Sequence, residues 1–239
     1  HTHISGIVYY SVPAVISNVA SPIAMAILMR YITKFGPEAV AGMAIVGRLS
    51  PVVFSVVNAL AGAIGAILGQ NYGAGHYDRV RRAYFDAIKF LAAYVAVVIL
   101  LLMLLQEIIA DAFGAQGLAR DMIYIFCGPF ALIAFFNGVL FIATAAFNSL
   151  GQPHLSPRLI WIKSTIGQLA FISLGSQFFG MQGLAYGLVC NAALFCYVAH
   201  LMSMRIFATL SNEGAEEPNE NLAGDAHHVR IQHGKSIHI

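Results

Sequence analysis

Charged side chains are scarce in this sequence. Lys, Arg, Asp and Glu make up only 10% of the 239 residues, whereas a soluble globular domain carries roughly 25%. The shortage is deepest before residue 211, because residues 211–239 hold two of the 13 basic residues and five of the 11 acidic ones. Hydrophobic residues reach 59%. The composition predicts a membrane protein and excludes a soluble domain, a disordered chain and a nucleic-acid-binding surface.

Cysteines and common catalytic motifs are also few. Cys127, Cys190 and Cys196 all lie within apolar runs, where a thiol behaves as a small hydrophobic group. Three cysteines are too few for a disulfide scaffold. The sequence has no His-Glu-x-x-His pair, no cysteine cluster, no nucleotide-binding loop and no Ser–His pair within reach. We therefore expect no enzymatic activity, no metal site and no organic cofactor.

Long apolar runs predict six transmembrane helices. A membrane-spanning helix needs about 20 mostly apolar residues, and these runs are about twice the length of a barrel strand and lack its alternation. The last run, 157–209, is too long for one helix and is interrupted at 177–183. The expected spans, in one lobe over residues 1–209, are 4–30, 37–69, 79–106, 119–148, 157–178 and 182–209.

The last part of the chain differs from the rest. Residues 210–239 are rich in Glu, Asn and Gly and have no apolar stripe, which predicts a disordered polar tail in the cytoplasm. Its histidines, at positions 227, 228, 233 and 238, match the spacing of no zinc motif.

Basic residues concentrate at alternate helix ends, and basic loops stay on the cytoplasmic side. Three basic residues, Arg30, Lys34 and Arg120, lie at the opposite ends near acidic residues. This pattern predicts that both termini are cytoplasmic. We expect the membrane to be a bacterial inner membrane. The seven basic residues at the predicted cytoplasmic ends are Arg79, Arg81, Arg82, Lys89, Arg158, Lys163 and Arg205.

The fourth predicted helix carries a polar stripe. Asn137, Thr144 and Asn148 fall within roughly 40° of one another on a helix, and Phe141 joins the same side. Polar side chains in hydrocarbon are costly, so this stripe must face other helices or a water-filled cavity. A cavity wall and interhelical hydrogen bonding remain equal alternatives.

Further candidates for a substrate path lie in the first two helices. Asn18 lies between Pro13 and Pro22, and prolines free backbone carbonyls of the preceding turn. Arg48 lies about ten residues into the second helix, where it either reaches the headgroups or a carbonyl, or holds anionic or polar cargo. Asn58 has the same two interpretations, a structural role or a contact with cargo. An apolar wall is expected from Met25, Phe54, Phe135, Phe136 and Phe141.

The segment after the second helix carries a family resemblance. It reads Gly69-Gln70-Asn71-Tyr72-Gly73-Ala74-Gly75 and leads to Arg79, which resembles the G-Q-N-x-G-A-G segment of the multidrug and toxic compound extrusion (MATE) family. Residues 35–48 and 147–151 resemble two other segments of that family. The resemblance extends over about residues 5–208. The candidate motif residues are Gly69, Gln70, Asn71, Gly73, Gly75 and Arg79.

The resemblance implies an all-α transmembrane fold of twelve helices in two six-helix lobes that form an inverted V, with this chain similar to the C-terminal lobe. An N-terminal lobe of the same polypeptide would then precede His1. The family exports cationic and amphipathic drugs in exchange for H+ or Na+, within the lipid bilayer. No Asp or Glu lies deep in any span, so the resemblance is to the branch of the family whose coupling aspartate lies in the other lobe. That resemblance implies that the coupling ion binds in the other lobe.

The alternative is a lipid-linked oligosaccharide flippase of the same superfamily. Such a protein would line its cavity with several basic residues to hold pyrophosphate, and the sequence offers Arg48 as the basic residue deep in the bundle.

Overall fold

The computed structural model describes residues 2–128 and 131–233, and within these ranges the regular structure is helical, without strands. The elements are α1 (Thr2–Ile32), a 3-10 turn (Thr33–Phe35), α2 (Pro37–Gly73), α3 (Tyr77–Ala112), α4 (Gly117–Cys127), α5 (Leu132–Ser149), α6 (Leu155–Ile162), a π-helical segment (Lys163–Gly167) and α7 (Gln168–His233).

Helix α7 contains two spans, because it reverses direction at Gly180. The backbone of Gly180 (φ 58, ψ −132) lies outside the helical region. The limbs on either side run antiparallel: a Cβ built on Gly175 would overlap the Gly183 carbonyl, and one on Gly187 would overlap the Phe171 carbonyl. The predicted break at 177–183 therefore lies at the observed reversal, and the small residues at 183 and 187 let the two backbones touch.

Helices α4 and α5 form one span that is interrupted near Gly128, the residue that follows α4. Both helices run parallel to α2 and pack against it. Gly42 of α2 lies against Met122 of α4, and Gly65 lies against Ala145 of α5. With α1, α2, α3 and the two limbs on either side of Gly180, the bundle has six helical spans, as predicted.

Four helices of the described residues are long and apolar enough to cross a membrane: Pro37–Gly73, Tyr77–Ala112, Leu132–Ser149 and Leu155–Ser211. The helices extend beyond most of the predicted spans, since α3 begins at Tyr77 and ends at Ala112. The disordered polar tail expected over residues 210–239 stays a prediction. Residues 234–239, which include His238, lie outside the described residues.

Helix α5 is the centre of the bundle and packs against α2, α3, α6 and α7. Its side chains are buried on several sides, from Val139 and Leu140 to Ala146 and Phe147. Helix α1 packs mainly on α6, the π segment and α7, and meets α2 mostly where Leu28, Ile32 and Ala39 form a small core. Away from that core, a groove separates α1 from α2 and α5.

The segment with the family resemblance caps the end of α2. The His76 N–H donates to the Asn71 carbonyl (2.9 Å) and the Gly75 N–H donates to the Tyr72 carbonyl (3.0 Å). These two bonds define a Schellman motif, which needs a left-handed residue after the helix, and Gly75 has φ 72. Gly73 is the last residue of α2, and a Cβ there meets nothing within 4 Å. The requirement for glycine therefore lies at position 75.

We expect Gly75→Val to lower the amount of folded protein in the membrane, because a left-handed backbone costs a residue with a Cβ roughly 1–2 kcal/mol. Gly73→Val is the matched control and should stay near wild type. The measurement is the detergent-extracted monodisperse fraction of each variant. Equal losses in both variants would contradict this account of the turn.

Candidate functional site

A polar cavity of about 510 Å³ lies in the groove between α1, α2, α5, α6 and the π segment. Six of the seven side chains predicted for the substrate path line it: Asn18, Asn58, Asn137, Phe141, Thr144 and Asn148. Asn18, Asn58 and Asn148 are exposed, so the cavity opens at the surface of the bundle. The remaining lining residues are Ser21, Ala24, Leu140, Ser156, Ile160, Lys163, Ser164 and Gln168.

The polar face of α5 lines the cavity and also bonds to a neighbouring helix, so both alternatives from the sequence apply. Asn148 makes an interhelical bond, because its Oδ1 accepts from Ser156 Oγ at 2.9 Å. Thr144 Oγ1 donates to the Phe141 carbonyl of its own helix at 2.9 Å. Asn137 differs, since its buried Oδ1 has no hydrogen-bond partner in the described residues. A buried amide oxygen without a partner costs free energy unless water or a ligand satisfies it.

A second cavity of about 300 Å³ adjoins the first and is lined mostly by apolar side chains. Ser21, Ala24, Asn137, Lys163 and Gln168 line both cavities. The apolar part comes from α1, α2, α5 and the second limb of α7, and it includes Met25 and Phe54, two members of the predicted apolar wall. Phe135 and Phe136 line neither cavity; their rings pack edge to face with centroids 5.7 Å apart. The further lining residues are Leu28, Met43, Val46, Ser50, Ile133, Leu188 and Asn191.

Lys163 lies where the two cavities meet, whereas the charge pattern predicted it among the basic residues of the cytoplasmic helix ends. It is the first residue of the π-helical segment, about 12 Å along the helix axis from Leu155 at 1.5 Å per residue. A count of basic residues near helix ends treats Lys163 and Arg158 alike. The two residues differ in their distance from Leu155, where the helix begins.

The backbone around Lys163 is held from two sides. Asn191 Nδ2, on the second limb of α7, donates to the Lys163 carbonyl at 3.3 Å. Gln168 Nε2 donates to the Ala24 carbonyl of α1 at 2.6 Å, and Trp161 Nε1 donates to the Ile16 carbonyl at 2.9 Å. These side-chain bonds tie the fifth span to α1. The buried Asn191 Oδ1 has no partner in the described residues.

Arg48, the seventh predicted path residue, is exposed on α2 and lines neither cavity. The prediction that Arg48 is the basic residue deep in the bundle is therefore wrong, because the basic residue that lines both cavities is Lys163. No Asp or Glu is among the described side chains that line the two cavities. The described residues also contain no group of three His, Cys, Asp or Glu side chains that would hold a metal ion.

The residues of the family motif are separate from the cavities. Gly69, Gln70, Asn71, Gly73, Gly75 and Arg79 lie at the end of α2 and the start of α3, and none of them lines either cavity. Asn71 Nδ2 donates to the Ile67 carbonyl at 2.8 Å. In the structure the motif therefore ends a helix.

Two solved structures share this fold. The bent form of the Vibrio cholerae MATE transporter VcmN superposes with a TM-score of 0.81 at 17% sequence identity, covering 87% of this chain and 47% of that protein. A MOP superfamily transporter from Pyrococcus furiosus superposes with a TM-score of 0.79 at 19% identity, covering 86% of this chain and 47% of that protein.

Two curated proteins are similar in sequence. An uncharacterized 21 kDa protein of Pseudomonas savastanoi, from the iaaL 5′ region, is 30% identical over 191 residues, which are 79% of this chain and 62% of that protein. A FAD transporter of Shewanella oneidensis is 25% identical over 204 residues, 84% of this chain and 45% of that protein. The chain thus spans about half to three-fifths of the length of these relatives.

The family model described as MatE matches residues 13–171, which contain α2 to α6 and much of both cavity walls. This match extends over more than half of the sequence, and the fold agrees with it. The chain belongs to the MatE family of membrane transporters.

Proposed function

We propose that this chain forms one six-helix lobe of a secondary transporter that exports amphipathic organic compounds by alternating access. The observation that carries the proposal is the pair of adjoining cavities, one polar and one apolar, in a bundle whose length matches about half of the solved transporters. A cavity with a few polar side chains in a mostly apolar wall can bind chemically diverse cargo, because apolar contacts are not directional.

The second lobe would belong to the same polypeptide and close the open side of the groove. Asn18, Asn58 and Asn137 would hydrogen-bond the polar part of the cargo, while Met25 and Phe54 contact its apolar part. The energy would come from H+ or Na+ exchange. Since no carboxylate lines the described cavities, we place the coupling ion in the other lobe, where its binding would bias the equilibrium between the two access states.

The charge of the cargo needs separate treatment. Family resemblance implies cationic drugs, but the charged side chain at the junction of the cavities is Lys163, which repels a cation. The proposal therefore extends to amphipathic compounds of other charge. FAD, the compound in the name of one relative, is an amphipathic molecule of this kind. The oligosaccharide flippase alternative needs several basic residues around the cavity, and no observation in the described residues favours it.

We also propose that the ends of α2 and α5 are cytoplasmic. Lys163 no longer counts toward the basic side, so six basic residues of the original set remain there. The opposite end holds three basic residues, Arg30, Lys34 and Arg120. The larger number of basic residues therefore favours a cytoplasmic position for the end with Arg79, Arg81 and Arg82.

Cysteine labelling tests this orientation. His76 and Gln116 are both exposed and lie in connections at opposite ends of the bundle. In intact cells we expect His76→Cys to resist an impermeant thiol reagent and Gln116→Cys to react with it, with permeabilised cells as the control. Labelling of His76→Cys from outside would overturn the orientation.

Substitution of Asn137 tests the cavity as a cargo path. We expect Asn137→Leu to change the relative export of unrelated drugs without much loss of protein, because Leu has a similar volume and the lost oxygen has no partner in the described part of the chain. Asn148→Leu is the contrasting variant. It removes the bond to Ser156, which costs about 0.6 kcal/mol on average in membrane proteins, so it should lower export of every drug in proportion to lost protein.

The measurement is resistance to several drugs, normalised to membrane protein level, in cells expressing the gene at its natural length. A uniform loss for Asn137→Leu that disappears on normalisation would remove Asn137 from the path.

A further inference from the structure

We propose that Lys163 forms a subsite for an oxyanion of the cargo, a phosphate or a carboxylate, at the junction of the polar and apolar cavities. This inference rests on the proposed transport function and adds the chemical class of the cargo's charged group. The cargo would be an amphipathic anion, whose oxyanion lies at the junction while its apolar part occupies the cavity lined by Met25, Phe54 and Leu188.

The first observation is that the Lys163 ammonium has no counter-ion among the residues that the structure describes. Among the described residues, the ion pairs join Lys89 to Asp86 and Arg120 to Glu107 and Asp111. Lys163 Nζ makes no hydrogen bond within the described residues. No carboxylate of these residues lines either cavity. A cation removed from bulk water without a partner is costly. A bound anion would supply the missing charge.

The second observation is that two amide oxygens near this junction lack donors. Asn137 and Asn191 line the cavity that Lys163 lines, and Asn191 is only 3% exposed. The Oδ1 atoms of both are buried and have no partner among residues 2–128 and 131–233. An ammonium group has three donors and a flexible stem. Two amide oxygens can orient such a group, but they bring no negative charge. The ammonium would keep its charge and one donor for an oxyanion.

The third observation is that the chain around Lys163 is fixed. Its carbonyl accepts from Asn191 Nδ2, and Thr165 Oγ1 donates to the Trp161 carbonyl at 2.7 Å across the π-helical segment. At the end of that segment a Cβ on Gly167 would lie 2.6 Å from Asn191 Oδ1, so the two helices pack closely there. Short π-helical segments occur often at functional sites. This one holds the base of the Lys163 side chain at the junction.

The helices around the junction offer no acidic side chain as a counter-ion for Lys163 within the described residues. The side chains that face the junction from α1, α2, α5 and α7 are neutral: Ser21, Phe54, Asn137 and Gln168 are examples. The acidic residues Glu38, Glu107 and Asp111 belong to the opposite end of the bundle, where Glu38 accepts from the Leu118 N–H and the other two pair with Arg120.

Three flavins that share one ring system provide the probes. Riboflavin is neutral, flavin mononucleotide carries a phosphate, and 10-carboxymethylflavin carries a carboxylate. The protein, expressed at its natural length, is reconstituted into proteoliposomes with imposed pH and Na+ gradients, and the rate of flavin transport is measured by fluorescence. Ethidium serves as the cationic comparison.

The variants are Lys163→Met, which removes the charge at similar length, Lys163→Arg, which keeps it, and Arg158→Met, which removes an exposed charge outside the cavities.

We expect wild type to transport at least one anionic flavin faster than riboflavin. Lys163→Met should reduce transport of that flavin at least tenfold and change riboflavin transport less than twofold, whereas Lys163→Arg and Arg158→Met should keep the preference. The rates for the phosphate and the carboxylate show which oxyanion the subsite takes. Variants are compared at equal reconstituted protein.

Two results would overturn the oxyanion subsite while transport itself stands: wild type moves ethidium but no anionic flavin, or Lys163→Met lowers all probes equally. The second result would assign Lys163 a structural role with Asn137 and Asn191. If wild type moves none of the four probes, the transport proposal fails, and the subsite fails with it.

Discussion

Hydrocarbon offers no hydrogen-bond partners, and the arrangement of this bundle follows from that constraint. Each polar side chain in a span must reach another helix, its own backbone or a hydrated space. Ser149 Oγ donates to the Gly65 carbonyl at 2.7 Å, and Gln168 Nε2 donates to the Ala24 carbonyl. The polar side chains of Asn18, Asn58 and Asn137 converge on the groove between α1, α2 and α5. The cavity is therefore the place where the fold leaves polarity available to cargo.

Close approach of the backbones makes this convergence possible. Gly175, Gly183 and Gly187 let the two limbs beside Gly180 touch, which brings Asn191 to the carbonyl of Lys163. A Cβ on Gly138 would lie 2.6 Å from Leu91 Cδ2, so α5 also packs tightly on α3. Such packing holds membrane helices together where the hydrophobic effect between them is absent.

Long apolar runs predicted the spans, because a helix in lipid needs about 20 mostly apolar residues, and helical spacing predicted the polar face of α5. Asn137, Thr144 and Asn148 followed from their spacing, and the structure places them together. Lys163 was misassigned because a basic residue eight positions inside a span resembles one at its end. Asn191 and Gln168 depend on how separate helices cross, which no single-helix pattern contains. The family motif contains Gly73 and Gly75 alike, and only the backbone geometry shows that the left-handed residue of the turn is Gly75.

Reactivity along α5 tests most directly whether the polar face lines a hydrated path. Single cysteines would replace each residue from 137 to 148 and be treated with a hydrophilic thiol reagent in inverted membrane vesicles. The account predicts reaction at positions 137, 141, 144 and 148, which line the cavity, and protection at 139, 142, 143 and 146, which are buried. Protection at all eight positions, or reaction at both sets alike, would contradict it.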